Sequence, residues 1–376
     1  MRVLIDYRPA LRSRTGVGEY THELAAALLA RSAADPSRAV HVTLFSSSWK
    51  DRVVLAPELR GATVVDCRIP VAVLNLLWHR LAWPAAEVVS HRSFDVVHSL
   101  HPLLMPSREA AQVVTIHDLD FLAHPERTRA EIRRDYPALV HSHAARADAI
   151  LVPSHFTAGE VIRLLGVPKD KITVCSPGAP DWRARQRAPR DGYLLFFGTL
   201  EPRKNVGVLL DAYAQLLRTG PAPPPLVLAG QARPEAAAWL ARIARPPFAG
   251  HVRHVGYVAP EDREALYAGA RVLVMPSLDE GFGIPVLEAM TAGVPVVAAR
   301  RGALPEVLDG AGWLVDPLNA DELADGLRRL YTDARCADAC RARGVARSGC
   351  FRWSYTARCV LDAYRAAVVR RRGSRR

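Results

Sequence analysis

Two glutamates and two glycines near residue 280 have a spacing that suits a ligand carrying both phosphate and hydroxyl groups. The run Glu280-Gly281-Phe282-Gly283 precedes a helical pattern that contains Glu288. Glycines let the backbone approach a ligand closely, and the start of a helix offers unpaired N–H groups that bind phosphate. Carboxylates accept hydrogen bonds from neighbouring hydroxyls of a ribose or a hexose. The combination predicts a site for a nucleotide sugar.

A pair of cations, Arg203 and Lys204, follows another strand-like run. A departing diphosphate gains negative charge as its bond to the sugar breaks, and fixed cations stabilise that charge more in the transition state than in the ground state. Arginine grips two phosphate oxygens at once, whereas lysine acts as a point charge. Cations at a helix start oppose its dipole, so a solvated helix start explains the pair less well than a diphosphate site does.

Two further candidates lie in the first half of the chain. Gly16 and Gly18 occupy a predicted loop between the first strand and a helix that opens near Glu19, where a plain tight turn is an equally good interpretation. His117 ends the apolar run Val113–His117, which predicts a position at the rim of the sheet. A histidine at a strand end is often only a satisfied core residue, and that alternative stays open.

Composition bounds the class of protein. The 376 residues are long enough for two domains, and 49% hydrophobic with 23% charged residues is an ordinary globular balance. The formal charge is +12, and the stretch Arg365–Arg376 contributes six arginines without an acid, which predicts a solvated, mobile tail. Because half of the excess charge lies in that tail, we expect no nucleic-acid partner. Attraction of the tail to anionic lipid headgroups is the alternative.

The cysteines and the apolar runs bear on location. The last four of six cysteines fit no zinc spacing and their region has no histidine, so we expect reduced thiols in a cytoplasmic protein. We find neither a signal sequence nor an uncharged run long enough to span a membrane. In the stretch 73–83, Leu74, Leu77, Trp78 and Leu81 share one helical face. We favour packing of this face on the core over an apolar ledge for a lipid-linked acceptor at the inner face of a membrane.

Short apolar runs alternate with helical patterns along the whole chain, which predicts an α/β fold of two doubly wound, Rossmann-like domains with parallel sheets. If the carboxyl ends of the two sets of strands face each other, the active site lies in a cleft between the domains. The predicted boundaries are 1–178 for the first domain, 179–191 for a linker rich in Pro and Gly, 192–352 for the domain that holds the predicted nucleotide-sugar site, and 353–376 for a terminal helix and basic tail. Predicted strands are Val3–Asp6, Val40–Phe45, Asp95–Ser99, Val113–His117, Ala149–Pro153, Ile172–Cys175, Tyr193–Gly198, Leu226–Ala229, Val252–Val255, Val272–Met275, Val294–Ala298 and Trp313–Val315. Predicted helices are Glu19–Arg31, Arg127–Ala145, Thr157–Leu165, Val206–Arg218, Asp321–Tyr331 and Tyr355–Val368, with one more after the Gly-Phe-Gly turn, where Pro285 suits the first helical turn.

Four stretches in register resemble the retaining enzymes of glycosyltransferase family 4, which have the GT-B fold. They are Arg14-Thr-Gly-Val-Gly-Glu-Tyr20, Thr115-Ile-His-Asp118, Phe197-Gly-Thr-Leu-Glu-Pro-Arg-Lys-Asn205, and the segment from Glu280 to Glu288. They extend from the first strand into the second predicted domain, so the resemblance covers nearly the whole chain. The segment from Phe197 to Asn205 and the first-half pattern look most like mannosyltransferases of surface-polysaccharide assembly.

The resemblance implies a role for each candidate. It assigns Arg203 and Lys204 to the diphosphate, Glu280 and His117 to the transferred sugar, and Glu288 to the ribose hydroxyls. It makes His117, Arg203, Lys204 and Glu280 the catalytic set. The remaining donor-binding positions are Gly16 and Gly18 beside the phosphate, Gly198 after its strand, Gly281, Phe282, Gly283 and Ile284 at the helix start, and Gly230, Tyr257 and Val258 around the base.

The resemblance also implies the partners and leaves alternatives for the donor. The donor is a nucleotide sugar, with GDP-mannose preferred, and the acceptor is a glycan or a lipid-linked glycan. A UDP-sugar donor and a nucleotide-sugar 2-epimerase activity remain alternatives. We expect no cofactor and no metal, since Arg203 and Lys204 supply the charge that a metal at Asp118 and Asp120 would otherwise provide.

Overall fold

The computed structural model describes residues 1–11, 14–35, 39–127 and 130–374, and it leaves the side chains of 127 and 130–135 undescribed. The chain divides into two units. Unit 1 comprises Met1–Gly178 together with the described residues from Arg352 onward, and unit 2 comprises Ala179–Phe351.

Unit 1 is built on a seven-stranded parallel sheet with the order β3-β2-β1-β4-β5-β6-β7. Side chains of β1 pack in two hydrophobic cores on opposite faces of the sheet, Val3 and Ile5 in one core and Leu4 in the other. The sheet is therefore buried on both faces. The strand order reverses between β1 and β4, and ligands of open α/β sheets bind at the carboxyl ends beside such a switch point. The strands are β1 Arg2–Asp6, β2 His41–Ser47, β3 Thr63–Cys67, β4 Val96–Ser99, β5 Ala111–Thr115, β6 Ala149–Val152 and β7 Ile172–Val174.

The helices of unit 1 cover this sheet. Helix α6 shows clear local signals, because the Ser154 side chain accepts a hydrogen bond from the N–H of Thr157 and Gly166 ends the helix at φ +64°. The helices that precede unit 2 along the chain are α1 Gly16–Ala34, α2 Val71–Leu76, which continues into a π-helical turn at Leu77–Leu81, α3 Ala86–Ser90, α4 Asp120–Ala123, α5 Ala130–Arg146 and α6 His155–Leu165.

Helix α2 and its π-helical turn pack one face on the sheet. Leu74 and Trp78 are fully buried. The Trp78 ring packs against the Phe45 ring with 5.2 Å between centroids, and its Nε1 donates a hydrogen bond to the Pro84 backbone oxygen at 2.9 Å. The predicted core packing is therefore confirmed for these two residues. For Leu81 it is wrong, since that side chain is exposed. The π-helical turn holds an extra residue, which rotates Leu81 out of the apolar stripe.

Unit 2 has a six-stranded parallel sheet with the order β10-β9-β8-β11-β12-β13. Its switch point lies between β8 and β11, and the residues after these two strands include the cation pair and Glu280. The strands are β8 Tyr193–Phe197, β9 Leu226–Ala229, β10 Val252–Gly256, β11 Ala270–Met275, β12 Val296–Ala299 and β13 Trp313–Val315. The helices are α7 Val206–Arg218, α8 Ala237–Ile243, α9 Pro260–Gly269, α10 Ile284–Thr291, α11 Leu304–Leu308, α12 Ala320–Thr332 and α13 Ala334–Ser348.

The segment predicted as a linker is anchored to unit 2 by one arginine. Arg185 donates side-chain hydrogen bonds to the backbone oxygens of Gly293, Ala268 and Arg271, and its own N–H donates to Ala292. Burial lowers the pKa of the Arg185 guanidinium to about 10. These carbonyl contacts hold the segment against the end of α9, the start of β11 and the loop that precedes β12.

The last helix, α14 Trp353–Gly373, belongs to unit 1 and packs on its sheet. The Tyr364 hydroxyl bonds the Nδ1 of buried His98, and Arg370 donates to the backbone oxygen and to the carboxylate of Asp170. The expectation of a mobile tail from Arg365 is therefore wrong for the described residues, because helix α14 continues to Gly373 and Arg370 is held by unit 1. Arg375 and Arg376 lie outside the described residues.

The α/β fold class and most predicted elements are confirmed. Strand β9 and helix α7 have the predicted bounds, and β13 does as well. Four predicted strands end earlier than expected, at Thr115, Val152, Val174 and Phe197. The prediction missed the edge strand β3 and the helices α3, α4, α8, α9, α11 and α13. Within the described ranges, no helix is long and apolar enough to cross a membrane.

Candidate active site

The centre of the candidate site is a buried cluster of two cations and one carboxylate in unit 2. A short 3₁₀ turn at Pro202–Lys204 follows β8, and the Lys204 Nζ donates to Glu280 Oε1 in the loop after β11. Arg203 Nη1 lies 3.5 Å from Glu280 Oε2 and donates a hydrogen bond to the backbone oxygen of Asp279 at 3.0 Å. Lys204 is 8% exposed and Glu280 is 6% exposed, so the pair is largely removed from water. The structure therefore brings together Arg203, Lys204 and Glu280, three of the four residues that the resemblance assigned to the diphosphate and the transferred sugar.

The charges in this cluster keep Glu280 ionised. Burial alone would raise the pKa of the Glu280 carboxyl, but the charges of Lys204 and Arg203 outweigh burial and hold this pKa below its usual range. Arg203 is also paired with Glu201, whose Oε1 accepts a hydrogen bond from Nη2 at 3.2 Å, so two carboxylates balance the two cations in the protein without ligand. An anionic ligand that displaces either carboxylate meets fixed cations in a poorly hydrated place, where opposite charges attract strongly.

Two supporting residues were not predicted as site residues. Asn205 adopts a left-handed conformation at φ +58° and donates side-chain hydrogen bonds to the oxygens of Pro276 and Pro317, which ties the 3₁₀ turn to the loop after β11. A Cβ added at Gly302, which has φ +58°, would lie 2.5 Å from the backbone oxygen of Glu280. These contacts join residues far apart in the chain, so no local pattern reveals them.

The start of α10 has the predicted construction. Gly283 precedes the helix at φ +100°, a conformation that favours glycine, and an added Cβ there would lie 2.7 Å from Leu304 Cδ2 and displace that side chain. Ile284 is the first helical residue. The Phe282 side chain packs edge-on against Phe351, with 5.6 Å between ring centroids. Only backbone groups of Phe282 therefore remain for the ligand contact that we predicted.

Glu288 is held by a second helix. It lies in the second turn of α10, its Oε2 accepts a hydrogen bond from Tyr267 at 2.7 Å, and its Oε1 lies 3.4 Å from Arg263 Nη1. All three side chains are buried, and both partners belong to α9. Sequence reasoning missed Arg263 and Tyr267. A buried carboxylate needs a charge partner and hydrogen bonds, and here α9 supplies both.

Gly198, predicted to bind the donor, and the predicted base-binding residues Gly230, Tyr257 and Val258 lie after three adjacent strands of unit 2. Gly198 follows β8, Gly230 follows β9, and Tyr257 with Val258 follows β10. An added Cβ at Gly230 would lie 2.1 Å from the Gly198 oxygen, so contact between the two backbones explains glycine at 230. Tyr257 is exposed. All of these positions are at the carboxyl edge of the sheet, and their contact with a base stays a prediction.

Gly16 and Gly18 lie at the start of α1 in unit 1. The prediction of a loop up to Glu19 is wrong for these residues, because the helix begins at Gly16 and the N–H of Glu19 already donates to the Thr15 oxygen. An added Cβ at Gly16 would meet no atom within 4 Å. The protein itself does not require glycine there, and the first N–H groups of a helix suit an anion.

His117 lies two residues beyond the end of β5 rather than at its last position. Its Nε2 bonds the Leu100 oxygen at 3.2 Å, and its ring packs edge-on against Tyr20 with centroids 4.9 Å apart. Burial lowers the pKa of His117 to about 4, so the imidazole is neutral at neutral pH. Because a carbonyl accepts the Nε2 proton, Nδ1 is left as a hydrogen-bond acceptor, as a sugar hydroxyl requires.

The Asp118–Asp120 pair shows no metal site in the described part of the chain. Asp120 is buried, and its N–H lies 3.4 Å from Asp118 Oδ1. No group of three or more His, Cys, Asp or Glu side chains among the described residues has an arrangement that would hold a metal. Independence from metal stays a prediction.

Two Rossmann-like units with glycine-rich turns and polar side chains at the carboxyl ends of their strands define the class of GT-B glycosyltransferases. Residues 14–183 match the family model described as Glycosyltransferase Family 4, and residues 191–333 match that of Glycosyl transferases group 1. The O-antigen chain mannosyltransferase B of Escherichia coli is 30% identical over 97% of this chain and 100% of the relative. The chain therefore belongs to glycosyltransferase family 4 and is a glycosyltransferase.

Solved structures agree with this fold assignment. The sucrose-phosphate synthase of Thermosynechococcus elongatus superposes with a TM-score of 0.77 at 20% identity, over 97% of this chain and 98% of that chain. The Anabaena protein HepE, solved in complex with UDP and glucose, gives a TM-score of 0.69 at 20% identity, over 96% of this chain and 98% of that chain. At these identities the likeness concerns the fold alone.

Proposed function

We propose that this glycosyltransferase moves mannose from GDP-mannose to a hydroxyl of a glycan or lipid-linked glycan, with retention of configuration, in the synthesis of a surface polysaccharide. The buried cluster of Lys204, Arg203 and Glu280 carries the proposal for the donor end, since it holds two fixed cations in a glycine-flanked place that suits a diphosphate. The full-length similarity to an O-antigen chain mannosyltransferase supports mannose and the polysaccharide acceptor.

The proposed reaction proceeds on one face of the sugar. The bond between the anomeric carbon and the diphosphate oxygen breaks, the acceptor oxygen bonds to the same carbon, and the acceptor proton moves to the departing oxygen. Lys204 and Arg203 stabilise the charge that develops on the diphosphate. Glu280 is already bonded to both cations and is therefore a weak nucleophile, which supports same-face attack over a covalent intermediate.

The remaining residues have roles in positioning the donor. Neutral His117 accepts a hydrogen bond from a sugar hydroxyl through Nδ1, and Glu288 accepts from the ribose hydroxyls while Tyr267 and Arg263 hold it. Gly16 and Gly18 present N–H groups of helix α1 to the phosphates.

A UDP-sugar donor is the second candidate for the substrate, because the structural neighbour HepE was solved with UDP and glucose. A thermal-shift panel of GDP-mannose, UDP-glucose, UDP-N-acetylglucosamine, GDP, UDP and ADP separates the candidates, since a ligand that binds the folded state raises its apparent stability. We expect the largest shift with the guanine nucleotides. A shift with uracil nucleotides alone would assign the donor to the second candidate.

Product analysis then tests the reaction. With GDP-mannose and a mannosyl acceptor, we expect one α-linked mannose in the product, because the donor sugar is α-linked. Lys204→Met should abolish transfer, while Lys169→Met, at an exposed lysine of unit 1, should transfer at the wild-type rate. An inverted linkage, or a glycosyl-enzyme trapped on Glu280, would refute the proposed mechanism. Full activity of Lys204→Met would refute the proposed site.

A further inference from the structure

An irregular segment of unit 2 packs against the helix that holds Glu288. Residues 179–191, all of them within the described part of the chain, form no helix or strand. Trp182 in this segment is half-buried, and its ring centroid lies 5.5 Å from that of Tyr267 at an interplanar angle of 41°. The Tyr267 hydroxyl in turn donates to Glu288 at 2.7 Å. One side chain therefore separates the segment from the carboxylate that we assign to the ribose.

The ring of Tyr267 is held by aromatic contacts. Besides Trp182 it packs against Phe197, the last residue of β8, with 5.6 Å between centroids. The Arg263 guanidinium, which contacts the other oxygen of Glu288, lies 5.8 Å from the centroid of the same Phe197 ring. Contacts between aromatic rings have preferred geometries, so they fix the direction in which the Tyr267 hydroxyl points.

Backbone contacts hold the segment along α9. The N–H of Arg183 donates to the Glu264 carboxylate at 3.4 Å, one turn before Tyr267. Arg185 Nη1 donates to the backbone oxygens of Ala268 at 3.1 Å and of Ala270. The segment therefore contacts α9 from its middle to its end.

The same arginine reaches the end of α10, the helix that contains Glu288. The N–H of Arg185 donates to the Ala292 oxygen at 3.1 Å, and its Nε donates to the Gly293 oxygen at 3.2 Å. A Cβ added at Gly293, which has φ +71°, would lie 3.2 Å from the Arg185 oxygen, so the two backbones approach closely. Arg185 thus joins the two helices whose packing sets the distance between Tyr267 and Glu288.

We propose that Trp182 and Arg185 are positioning residues that hold Glu288, through Tyr267 and the ends of α9 and α10, in the orientation that accepts hydrogen bonds from the ribose hydroxyls. They contribute in this way to the selectivity of the enzyme for donors that carry these hydroxyls. A hydrogen bond weakens steeply when its angle departs from linearity, so the binding group needs such support. The inference rests on the proposed function, which assigns the ribose to Glu288.

The affinities for GDP and for 2′,3′-dideoxy-GDP, measured by calorimetric titration of the full chain, test the proposal, with the matching uracil pair in parallel. Both ligands of a pair share base and diphosphate, so the ratio of their Kd values reports the hydroxyls alone. We expect the wild type to prefer GDP by about tenfold or more. Trp182→Ala should lower this preference by about threefold or more, through weaker binding of GDP, with the dideoxy affinity unchanged.

Conservative and combined variants separate positioning from packing. Trp182→Phe keeps an aromatic ring and should retain most of the preference, whereas Arg185→Met should lower it as Trp182→Ala does. In a Tyr267→Phe background, Trp182→Ala should lower the preference no further, because the hydroxyl through which it acts is gone. Steady-state kinetics with GDP-mannose should show a KM about threefold higher for Trp182→Ala, with kcat nearly unchanged.

The matched control is Trp313→Ala. Trp313 is also a half-buried tryptophan of unit 2, but it is the first residue of β13 and its ring packs on Arg329 of α12. This variant should keep the wild-type preference for GDP even where it unfolds at a lower temperature. An unchanged preference in Trp182→Ala, or an equal loss of affinity for both ligands of a pair, would overturn the proposal.

The wild type separates this inference from the proposed function. If it binds both ligands of each pair equally, the ribose role of Glu288 is wrong, and the positioning role is wrong with it. If it prefers the hydroxyl-bearing ligand and the variants do so equally, only the positioning role is wrong. The expected ratios without any transfer of mannose from GDP-mannose would remove the proposed reaction alone.

Discussion

Replacing Glu280 by glutamine should strengthen binding of the diphosphate and weaken catalysis. In the protein without ligand, Glu280 is bonded to Lys204 and lies 3.5 Å from Arg203, which Glu201 also contacts, so the diphosphate must compete with Glu280 for Lys204. Glutamine has the same shape but no charge. A hydrogen bond to a charged group contributes about 1.5–3 kcal/mol. If the diphosphate no longer has to displace one such bond between Glu280 and a cation, its Kd should fall by roughly 10- to 150-fold.

Calorimetric titration with GDP, and with UDP in parallel, measures this effect. We expect Glu280→Gln to bind the diphosphate roughly tenfold or more tightly than the wild type, with kcat at least about 100-fold lower. The variant should unfold more easily without ligand, because Lys204 stays buried beside a weaker partner, and GDP should restore the loss. Asp325→Asn, which breaks an exposed ion pair of α12, is the control and should change neither quantity. Unchanged or weaker diphosphate affinity in a folded Glu280→Gln protein would refute the reasoning.

Further predictions concern the surrounding structure. Tyr267→Phe removes the hydroxyl bonded to Glu288 and should raise the KM for the donor by roughly 3- to 10-fold with kcat nearly unchanged, as steady-state kinetics will show. Burial lowers the pKa of His98 to about 3, so the unfolded chain takes up its proton first as the pH falls. The free energy of unfolding should therefore decrease by about 1.4 kcal/mol per pH unit below about 6.5 from this residue, and urea titrations of His98→Asn should show a flatter pH dependence. Trp78→Ala should cost about 3–5 kcal/mol in the same titrations and Trp83→Ala less than about 0.5 kcal/mol, because only the first is buried. Treatment with EDTA should leave the transfer rate unchanged in a discontinuous product assay.

The elements that could be predicted from the sequence are those with local signals. Strand β9 is a run of apolar residues between a proline cluster and a glycine, and helix α7 follows Asn205 with a clear apolar face. The start of α10 is also local, since Gly283 and Pro285 each have one physical reason to be there. The same local patterns placed the site residues at the carboxyl ends of strands.

Elements that depend on tertiary contacts could not be predicted from local sequence patterns. The edge strand β3 is only half-buried, and α13 lacks a regular apolar period, so neither has a strong sequence pattern. The π-helical turn moved Leu81 to the surface, which no 3.6-residue period shows.

The residues that contact the site carboxylates could not be predicted for the same reason. Arg263 and Tyr267 meet Glu288 across more than 20 residues of chain, and Gly302 lies against the backbone of Glu280. Such pairs depend on how α9 and α10 pack on the sheet of unit 2.

A crystal structure of the protein soaked with GDP-mannose tests the central claim most directly. We expect the diphosphate within hydrogen-bonding distance of the Arg203 guanidinium and the Lys204 ammonium, with the ribose at Glu288 and the mannose beside Glu280. A donor bound elsewhere on the molecule, with the Lys204–Glu280 contact intact and no phosphate beside it, would contradict the account.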